Sequence, residues 1–302
     1  MKGHVMTPLS HILVATDFSG CAARAVDRAA RLAHDHRATL HLVHVMDRLL
    51  LQMFAGTLDE HPLAMEQRLI ESARSRLKEL AGLLATHFGV SVKDEVLIGR
   101  VHAQVAEYAT THAINLTVFG AHGENFVRDV FVSSTASKFL RKGRQPALVV
   151  RSDEKRPYHQ VLVAVDFSPA SRLAVEWAAR IAPQATIHVL HVSELPFEGK
   201  MRFAGIPEDD IAMYRRNVEQ EARRALEAFL GGIEGTASMS RSVLDGPPSR
   251  TIAAQAQFRN ADLVVMGKRG QLELDEFLLG SVTLRVLEEI DRDLLLVAPT
   301  AT

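Results

Sequence analysis

Two glycine turns carry the residues that could bind a phosphate group. In the second half of the chain, Gly267-Lys-Arg-Gly270 is followed by nine residues and then Gly280-Ser281. In the first half, Gly120-Ala-His-Gly123 is followed by nine residues and then Ser133-Ser134. Glycine lets backbone N–H groups approach a phosphate without a Cβ in the way, and a helix N-terminus adds unpaired donors and a positive dipole end. The spacing therefore predicts a phosphate-binding loop that opens a helix.

An acidic residue lies upstream of each glycine turn. Asp17 and Asp166 each begin an Asp-Phe-Ser triplet that follows a short apolar run. A carboxylate suits ribose hydroxyls or an adenine amino group better than phosphate, which it would repel. Each triplet would then mark the nucleoside end of a nucleotide site. The alternative is a purely structural turn, in which Ser19 and Ser168 cap the helix that follows.

The same features recur in the same order, which identifies two copies of one domain. At 302 residues the chain is long enough for two domains of roughly 150 residues, each with an ordinary core. We predict a first domain over residues 1–152, with an altered glycine motif. The second domain, over residues 153–302, carries the complete motif G-x-x-G-(nine residues)-G-S.

Strand and helix patterns alternate between these motifs. Each half contains five short runs rich in branched apolar residues, as expected for a parallel sheet covered on both faces. Right-handed crossovers give a doubly wound α/β sheet, in which ligands bind beyond the carboxyl ends of the strands where the strand order reverses. If strands one and four are neighbours there, the aspartate and the glycine turn flank one crevice. The predicted strands are 12–16, 39–45, 91–98, 115–119 and 147–150, then 161–165, 186–192, 237–244, 262–266 and 294–297.

The composition excludes several classes of partner. Lys plus Arg number 35 and Asp plus Glu number 36, so no general field would draw the protein to nucleic acid or to an anionic membrane. The first residues lack the apolar core of a signal peptide, and no run of about 18 apolar residues offers a membrane span. The single cysteine, Cys21, fits a reducing compartment. We expect a cytoplasmic protein.

Dedicated metal or nucleophile chemistry has little support. His41 and His44, like His188 and His191, are three residues apart on predicted strands, so they point to opposite faces and cannot hold one ion together. Cys21 lies in an Ala-rich helix, where an inert thiol is expected. The sequence also lacks a Gly-x-Ser-x-Gly elbow and a P-loop. We assign no catalytic residue and no metal ligand.

The ordered motifs resemble the universal stress protein family in its tandem form. The resemblance covers nearly the whole chain and includes a His-Val pair at the end of strand two in both halves. It implies two Rossmann-like domains of the adenine nucleotide alpha hydrolase-like fold, with ATP in the crevice, with or without Mg²⁺. The strand-one aspartate would contact the nucleotide, the residue after the strand-two histidine would offer its backbone to adenine, and the glycines and serine would contact phosphate. The matching positions are Ala164, Val165, Asp166, Val192, Gly267, Arg269, Gly270, Gly280, Ser281, Val282 and Thr283 in the second domain, and Asp17, Val45, Gly120, Gly123, Ser133 and Ser134 in the first.

The two domains differ at a critical position. Ser133 stands where the third glycine belongs and adds a side chain at a point of close backbone approach. Either Ser133 caps the last helix and leaves a partly competent phosphate nest, or it narrows the pocket and keeps it empty. In the second domain residues 271–279 form an acidic spacer that would repel a triphosphate. Lys268, Arg269 or a bound Mg²⁺ would offset that repulsion.

Three classes of function remain open. The first is a stress-response regulator that binds ATP or a related adenine nucleotide, most strongly in the second domain, with the ligand changing conformation or the binding of an unidentified protein partner. The second is an interaction module that binds no nucleotide. The third is an ATPase. Its turnover would be slow, because the sequence offers no set of residues for efficient phosphoryl transfer. The resemblance also leaves a homodimer open.

The connections after strand two share an aromatic residue. Phe54 and Phe203 lie at comparable positions within long, partly apolar segments. We hypothesise that these segments fold over the crevice or pack between the domains, because their apolar surface must be buried somewhere.

Overall fold

The chain divides into two compact units, Met1–Lys155 and Arg156–Thr302. The computed structural model describes residues 8–47, 62–121, 134–142, 145–195, 198–268 and 279–298. Both units alternate strand with helix, as the sequence pattern predicts.

The first unit is a parallel sheet of five strands. The strand order is β3-β2-β1-β4-β5, so the chain reverses its direction of travel across the sheet between β1 and β4. Its elements are β1 (His11–Ala15), α1 (Gly20–His36), β2 (Thr39–Met46), α2 (Pro62–Phe88), β3 (Val92–Ile98), α3 (Val101–Thr111), β4 (Leu116–Gly120), α4 (Ser134–Lys142) and β5 (Ala147–Val150).

The second unit repeats this arrangement. Its order is β8-β7-β6-β9-β10, with all four neighbouring pairs parallel. Its elements are β6 (Gln160–Val165), α5 (Pro169–Ile181), β7 (Thr186–Ser193), α6 (Glu198–Phe203), α7 (Glu208–Gly231), β8 (Ser240–Asp245), α8 (Pro248–Phe258), β9 (Leu263–Gly267), α9 (Ser281–Glu289) and β10 (Asp293–Val297).

The predicted doubly wound α/β fold is confirmed, and its cause is the distribution of apolar residues. Every residue of β5, β9 and β10 is buried, which the unbroken apolar runs require of strands covered by helices on both faces. By contrast β3 exposes Lys93, Asp94 and Glu95. Charged residues on an edge strand discourage pairing with another chain. In each unit strands one and four are direct neighbours, as the crevice hypothesis requires.

The helix after each Asp-Phe-Ser triplet begins where the sequence predicts. Ser19 Oγ accepts the N–H of Ala22 at 3.2 Å, and Ser168 Oγ accepts the N–H of Ser171 at 3.2 Å. Pro169 occupies the first turn of α5, where its missing N–H leaves no intrahelical bond unmade. Both serines therefore act as N-caps, and the triplets serve a structural purpose whatever else they do.

Two expectations about the second unit are wrong. The predicted loop after strand two contains α6, and the side chain of Phe203 at its end is 95% exposed, so it packs neither over a crevice nor against another element. Phe54 lies outside the described residues. Ala237, predicted to begin strand three, lies in a short 3₁₀ helix, Thr236–Ser238.

Two strand histidines are buried in equivalent places with different partners. His41 is 1% exposed, with Nε2 3.1 Å from His11 Nδ1 and Nδ1 3.0 Å from the Tyr108 hydroxyl. His188 is 6% exposed, and its two ring nitrogens lie 2.7 Å and 2.8 Å from hydroxyls of β8. Burial is the main cause that lowers the pKa of both rings from 6.5 to about 4. Both are therefore neutral at pH 7.

These lowered pKa values predict a loss of stability in mild acid. As the pH falls from 6.5 to about 4, the unfolded chain binds protons that folded His41 and His188 do not, so the free energy of unfolding falls. Between these two pH values each ring should lower the free energy of unfolding by roughly 2–3 kcal/mol. Urea denaturation at a series of pH values should show that the free energy of unfolding of His188→Gln depends less steeply on pH than that of the wild type. Replacing the exposed His159 by Gln should leave the dependence unchanged; equal dependences for both variants would contradict this assignment.

Candidate functional site

The strand-one aspartate and the first residues of the glycine motif lie at the carboxyl edge of the sheet in each unit. In the second unit the β6–β9 register ends at Ala164 and Met266, and Asp166 and Lys268 each lie two residues beyond that pair. The first unit has the same arrangement between β1 and β4. The two features therefore flank the point where strand order reverses, which is where open α/β sheets bind ligands.

The Asp-Phe-Ser turns hold both aspartates in the same way. Phe18 has φ 63° and Phe167 has φ 65°, so the backbone of both residues lies in the left-handed region, which residues other than glycine rarely adopt. The turn is closed by a side chain, because Asp17 Oδ1 accepts the N–H of Ser19 at 3.0 Å. Asp166 Oδ1 likewise accepts the N–H of Ser168 at 3.1 Å. Both aspartates are half-buried at the edge of the sheet.

A histidine from strand two braces each turn. His44 Nδ1 lies 2.8 Å from the Thr16 carbonyl oxygen, and His191 Nδ1 lies 2.8 Å from the Val165 carbonyl oxygen. A carbonyl only accepts, so Nδ1 carries the hydrogen in both rings. The rings also pack on the left-handed phenylalanines, with centroid separations of 4.7 Å in the first unit and 4.2 Å in the second. Burial lowers the pKa of His191, against the opposing effects of the Val165 carbonyl and Asp166.

The residue after this histidine presents its backbone at the cleft. The β6–β7 register ends at Val165 and His191, so Val192 lies past the last residue of β6 while still pairing with Leu244 on its other side. Val192 is half-buried, and Val45 occupies the corresponding place in the first unit. This geometry gives Val192 backbone groups that face beyond the end of β6.

The last helix of the second unit begins without a capping side chain. Gly280 is the N-cap of α9, and its own N–H donates to the Lys268 carbonyl at 2.9 Å. Thr283, in the first turn, donates its hydroxyl to the Gly267 carbonyl at 3.1 Å and ties the helix start to the end of β9. The first N–H groups of a helix have no intrahelical acceptor. An anion at this end would receive them together with the positive end of the helix dipole.

A lysine distinguishes the second cleft from the first. Lys268 and Ala121 are equivalent: each donates its backbone N–H to the last strand of its unit, at 2.7 Å to Val297 and at 3.0 Å to Val150. Lys268 is 2% exposed, and a buried ammonium requires polar or anionic neighbours. The second unit thus has a buried cationic side chain at a position where the first has a methyl group.

Gly120 has a packing role in the first unit. A Cβ on Gly120 would lie 2.8 Å from the carbonyl oxygen of Cys21 and 3.0 Å from its carbonyl carbon. The end of β4 therefore approaches the start of α1 more closely than any side chain allows. This close approach accounts for the glycine independently of a ligand.

Only some of the site residues predicted from the sequence lie within the described part of the chain. Ala164 and Val165 are buried at the end of β6, Ser281 is exposed and Val282 is half-buried at the start of α9. Ser134 begins α4. The other predicted positions lie outside the described residues: Gly123, Ser133, Arg269, Gly270 and the acidic residues of the spacer.

Sequence reasoning missed two contributors to the site. Nothing in the sequence indicated that the strand-two histidines brace the turns, because their bonds to the backbone carbonyls at the end of strand one join residues 28 and 26 positions apart. Ser171 was not singled out, yet its hydroxyl lies 2.5 Å from Asp166 Oδ1. A serine at the third position of a helix that follows an aspartate turn is the signal that could have found it.

This architecture defines a Rossmann-like α/β protein in which strands one and four of each unit flank a switch point. The universal stress protein family matches residues 8–151 and 157–298, so the chain belongs to that family and carries its domain twice.

Individual relatives share the tandem length. A universal stress protein of Mycolicibacterium smegmatis is 26% identical over 304 residues, covering 95% of this chain and 97% of that protein. One of Mycobacterium tuberculosis is 25% identical over 292 residues, covering 91% of each. The crystal structure of a universal stress protein from Archaeoglobus fulgidus has the same fold, with a TM-score of 0.67 at 18% identity, and the match covers 97% of this chain and 99% of that one.

The described residues contain neither a membrane-spanning helix nor a cluster of metal ligands. None of the helices there combines the length and the apolar character needed to cross a membrane. Within the same parts of the chain, no three His, Cys, Asp or Glu side chains are grouped so that they could hold a metal ion.

The tight contact at Gly120 predicts a clear stability effect. Gly120→Ala should lower the free energy of unfolding of the first unit by roughly 1–3 kcal/mol, because the new methyl group meets backbone that cannot move aside. Gly82→Ala is the matched control, since nothing lies within 4 Å of its Cβ position in α2, and it should stabilise the helix by roughly 0.5–1 kcal/mol. Urea denaturation measures both. If Gly120→Ala proves as stable as the wild type, the close contact with Cys21 does not require a glycine at this position.

Proposed function

We propose that the second unit binds ATP or a related adenine nucleotide in the cleft between β6 and β9, as part of a stress-response regulatory role. The observation that carries this proposal is the start of α9. A helix that begins on an uncapped glycine, beside a buried lysine and opposite a half-buried aspartate, offers a phosphate end and a nucleoside end within one cleft.

The nucleoside end lies at the ends of β6 and β7. The Asp166 carboxylate accepts hydrogen bonds, which suits ribose hydroxyls or the adenine amino group. Val192 offers its backbone beyond the end of β6, where the edge of an adenine ring could pair with it. Buried Ala164 and Val165 form the apolar floor behind the aspartate.

The phosphate end lies at β9 and α9. Gly267, Gly280 and Ser281 offer backbone groups, and in this proposal Arg269 and Gly270 complete the turn. Val282 and Thr283 support the helix start, the latter through its bond to the Gly267 carbonyl. Mg²⁺ carried with the triphosphate would offset the acidic spacer, because this hard ion accepts phosphate and carboxylate oxygens together.

The first unit would bind nucleotide more weakly. It retains Asp17, Val45 and the braced turn, with Gly120, Gly123 and Ser134 in the places the motif requires. It has Ala121 instead of Lys268, and Ser133 instead of a glycine. Without the cation and with an added side chain, its attraction for phosphate is lower. Ligand in the second unit would change the conformation of the chain or its binding to a protein partner, without obligatory turnover.

An interaction module that binds no nucleotide is the competing function. It is favoured by the fact that two features of the motif have structural explanations: the Asp-Phe-Ser turns as helix caps and Gly120 as a close contact. The start of α9 has no capping side chain, and an anion there would receive its first N–H groups together with the positive end of the helix dipole; for this reason we prefer the nucleotide-binding function for the second unit.

Gly280→Val tests the proposed function. The backbone at Gly280 (φ −58°, ψ 148°) accommodates a valine, so the substitution places a branched side chain on the phosphate path without backbone strain. Isothermal titration calorimetry should show ATP binding weakened roughly 100-fold or more. Gly231→Val, at the end of α7 with nothing within 4 Å of its Cβ position, should bind like the wild type. Unchanged affinity in Gly280→Val, or a wild type that does not bind ATP, would overturn the proposal.

Ser133→Gly tests the difference between the units. In a Gly280→Val background, where the second cleft is blocked, restoring the third glycine should strengthen ATP binding by the first unit roughly 3- to 10-fold, because backbone N–H groups regain access to phosphate. The same titration measures this gain. If ATP binding is not strengthened, a residue other than Ser133 weakens the first site, and Ala121 is the next position to substitute.

A further inference from the structure

The strand-one aspartate of the second unit has a side-chain neighbour whose counterpart in the first unit cannot form the same bond. In both units Oδ1 accepts the N–H of the serine two positions on. In the second unit the same Oδ1 also lies 2.5 Å from Ser171 Oγ. Ser171 is five residues after Asp166, and the residue five positions after Asp17 is Ala22, which has no hydroxyl.

The surrounding hydrogen bonds determine where the Ser171 proton goes. Ser171 Oγ accepts the backbone N–H of Asp166 at 2.9 Å and receives the hydroxyl of Ser168 at 3.3 Å. Its own proton is therefore directed to the carboxylate, which has none to give. Ser171 is 2% exposed in the first turn of α5, so water does not compete for this bond.

The first unit braces its turn by another route. Thr16 Oγ1 accepts the N–H of Phe18 at 3.0 Å, a bond that supports the backbone of the turn and leaves the carboxylate untouched. In the second unit Val165 takes the place of Thr16 and has no hydroxyl. A hydroxyl thus supports the backbone of the turn in the first unit, whereas in the second unit a hydroxyl contacts the acid itself.

We propose that Ser171 is a positioning residue that holds the Asp166 carboxylate in the orientation in which it receives the hydrogen-bond donors of a bound nucleoside. This inference rests on the proposed function. Two donors on one oxygen fix the rotation of the carboxylate, so its other oxygen is oriented before ligand arrives. A group oriented in advance loses less conformational freedom on binding, and affinity rises accordingly.

A double-mutant cycle with two ligands tests the proposal. Ser171→Ala, Asp166→Ala and the double variant are titrated with ATP and with inorganic tripolyphosphate, which lacks the nucleoside. Ser171→Ala should weaken ATP binding about 5- to 20-fold and leave tripolyphosphate binding within about twofold. In the Asp166→Ala background, Ser171→Ala should have no further effect on ATP. Thermal melting verifies that each variant folds.

Ser249→Ala is the matched control. Ser249 is a buried serine in the first turn of α8, which follows β8, and β8 lies two strands from β6; its replacement should leave ATP binding unchanged. The inference is overturned if Ser171→Ala binds ATP like the wild type, if it loses tripolyphosphate equally, or if its effect persists without Asp166. If Ser171→Ala does not fold, Ser171→Thr keeps the hydroxyl and should retain the preference for ATP over tripolyphosphate; loss of that preference in the folded Thr variant counts against the inference. A wild type that binds neither ligand refutes the proposed function instead.

Discussion

The left-handed turn at Phe18 and Phe167 is the constraint on which both clefts depend. A residue other than glycine in this region costs about 1–2 kcal/mol, so the surrounding contacts must hold it there. They do so through the aspartate side chain, the serine cap and the histidine of strand two, whose ring packs on the phenylalanine. The consequence is that strand one ends abruptly and leaves a carboxylate at the switch point of the sheet. The same local device thereby starts a helix and places the acidic group of the site.

Most of the fold could be predicted from the sequence because its signals are local. Unbroken apolar runs indicate covered parallel strands, and the cap serines and Pro169 mark helix starts. The errors arose where local signals were misleading. Residues 198–203 form a short helix whose Glu198 and Arg202 pair with each other and with charges beyond it, and this surface chemistry supports the helix without burying Phe203. An apolar side chain in a long connection therefore did not imply a buried one.

The site was only partly predictable, and the reason is tertiary. The aspartates and glycines were identified from spacing, because a turn and a helix start depend on consecutive residues. The brace by His191 and the burial of Lys268 depend on strands brought together by the whole sheet. Ser171 lies between these cases: its contact spans five residues, but its importance is visible only against Ala22 in the other unit. The two copies therefore differ at this position: the second aspartate lies next to the Ser171 hydroxyl, whereas the equivalent residue in the first unit, Ala22, has none.

The central claim is that the second cleft holds an adenine nucleotide with its nucleoside at Asp166 and its phosphates at the start of α9. A crystal structure of the full chain grown with ATP and Mg²⁺ tests it most directly. The account predicts ribose or adenine density within hydrogen-bond distance of the Asp166 carboxylate, and phosphate density at the N–H groups that follow Gly280. Phosphates placed against Asp166, or ATP bound in the first unit with the second cleft lacking it, would contradict the account.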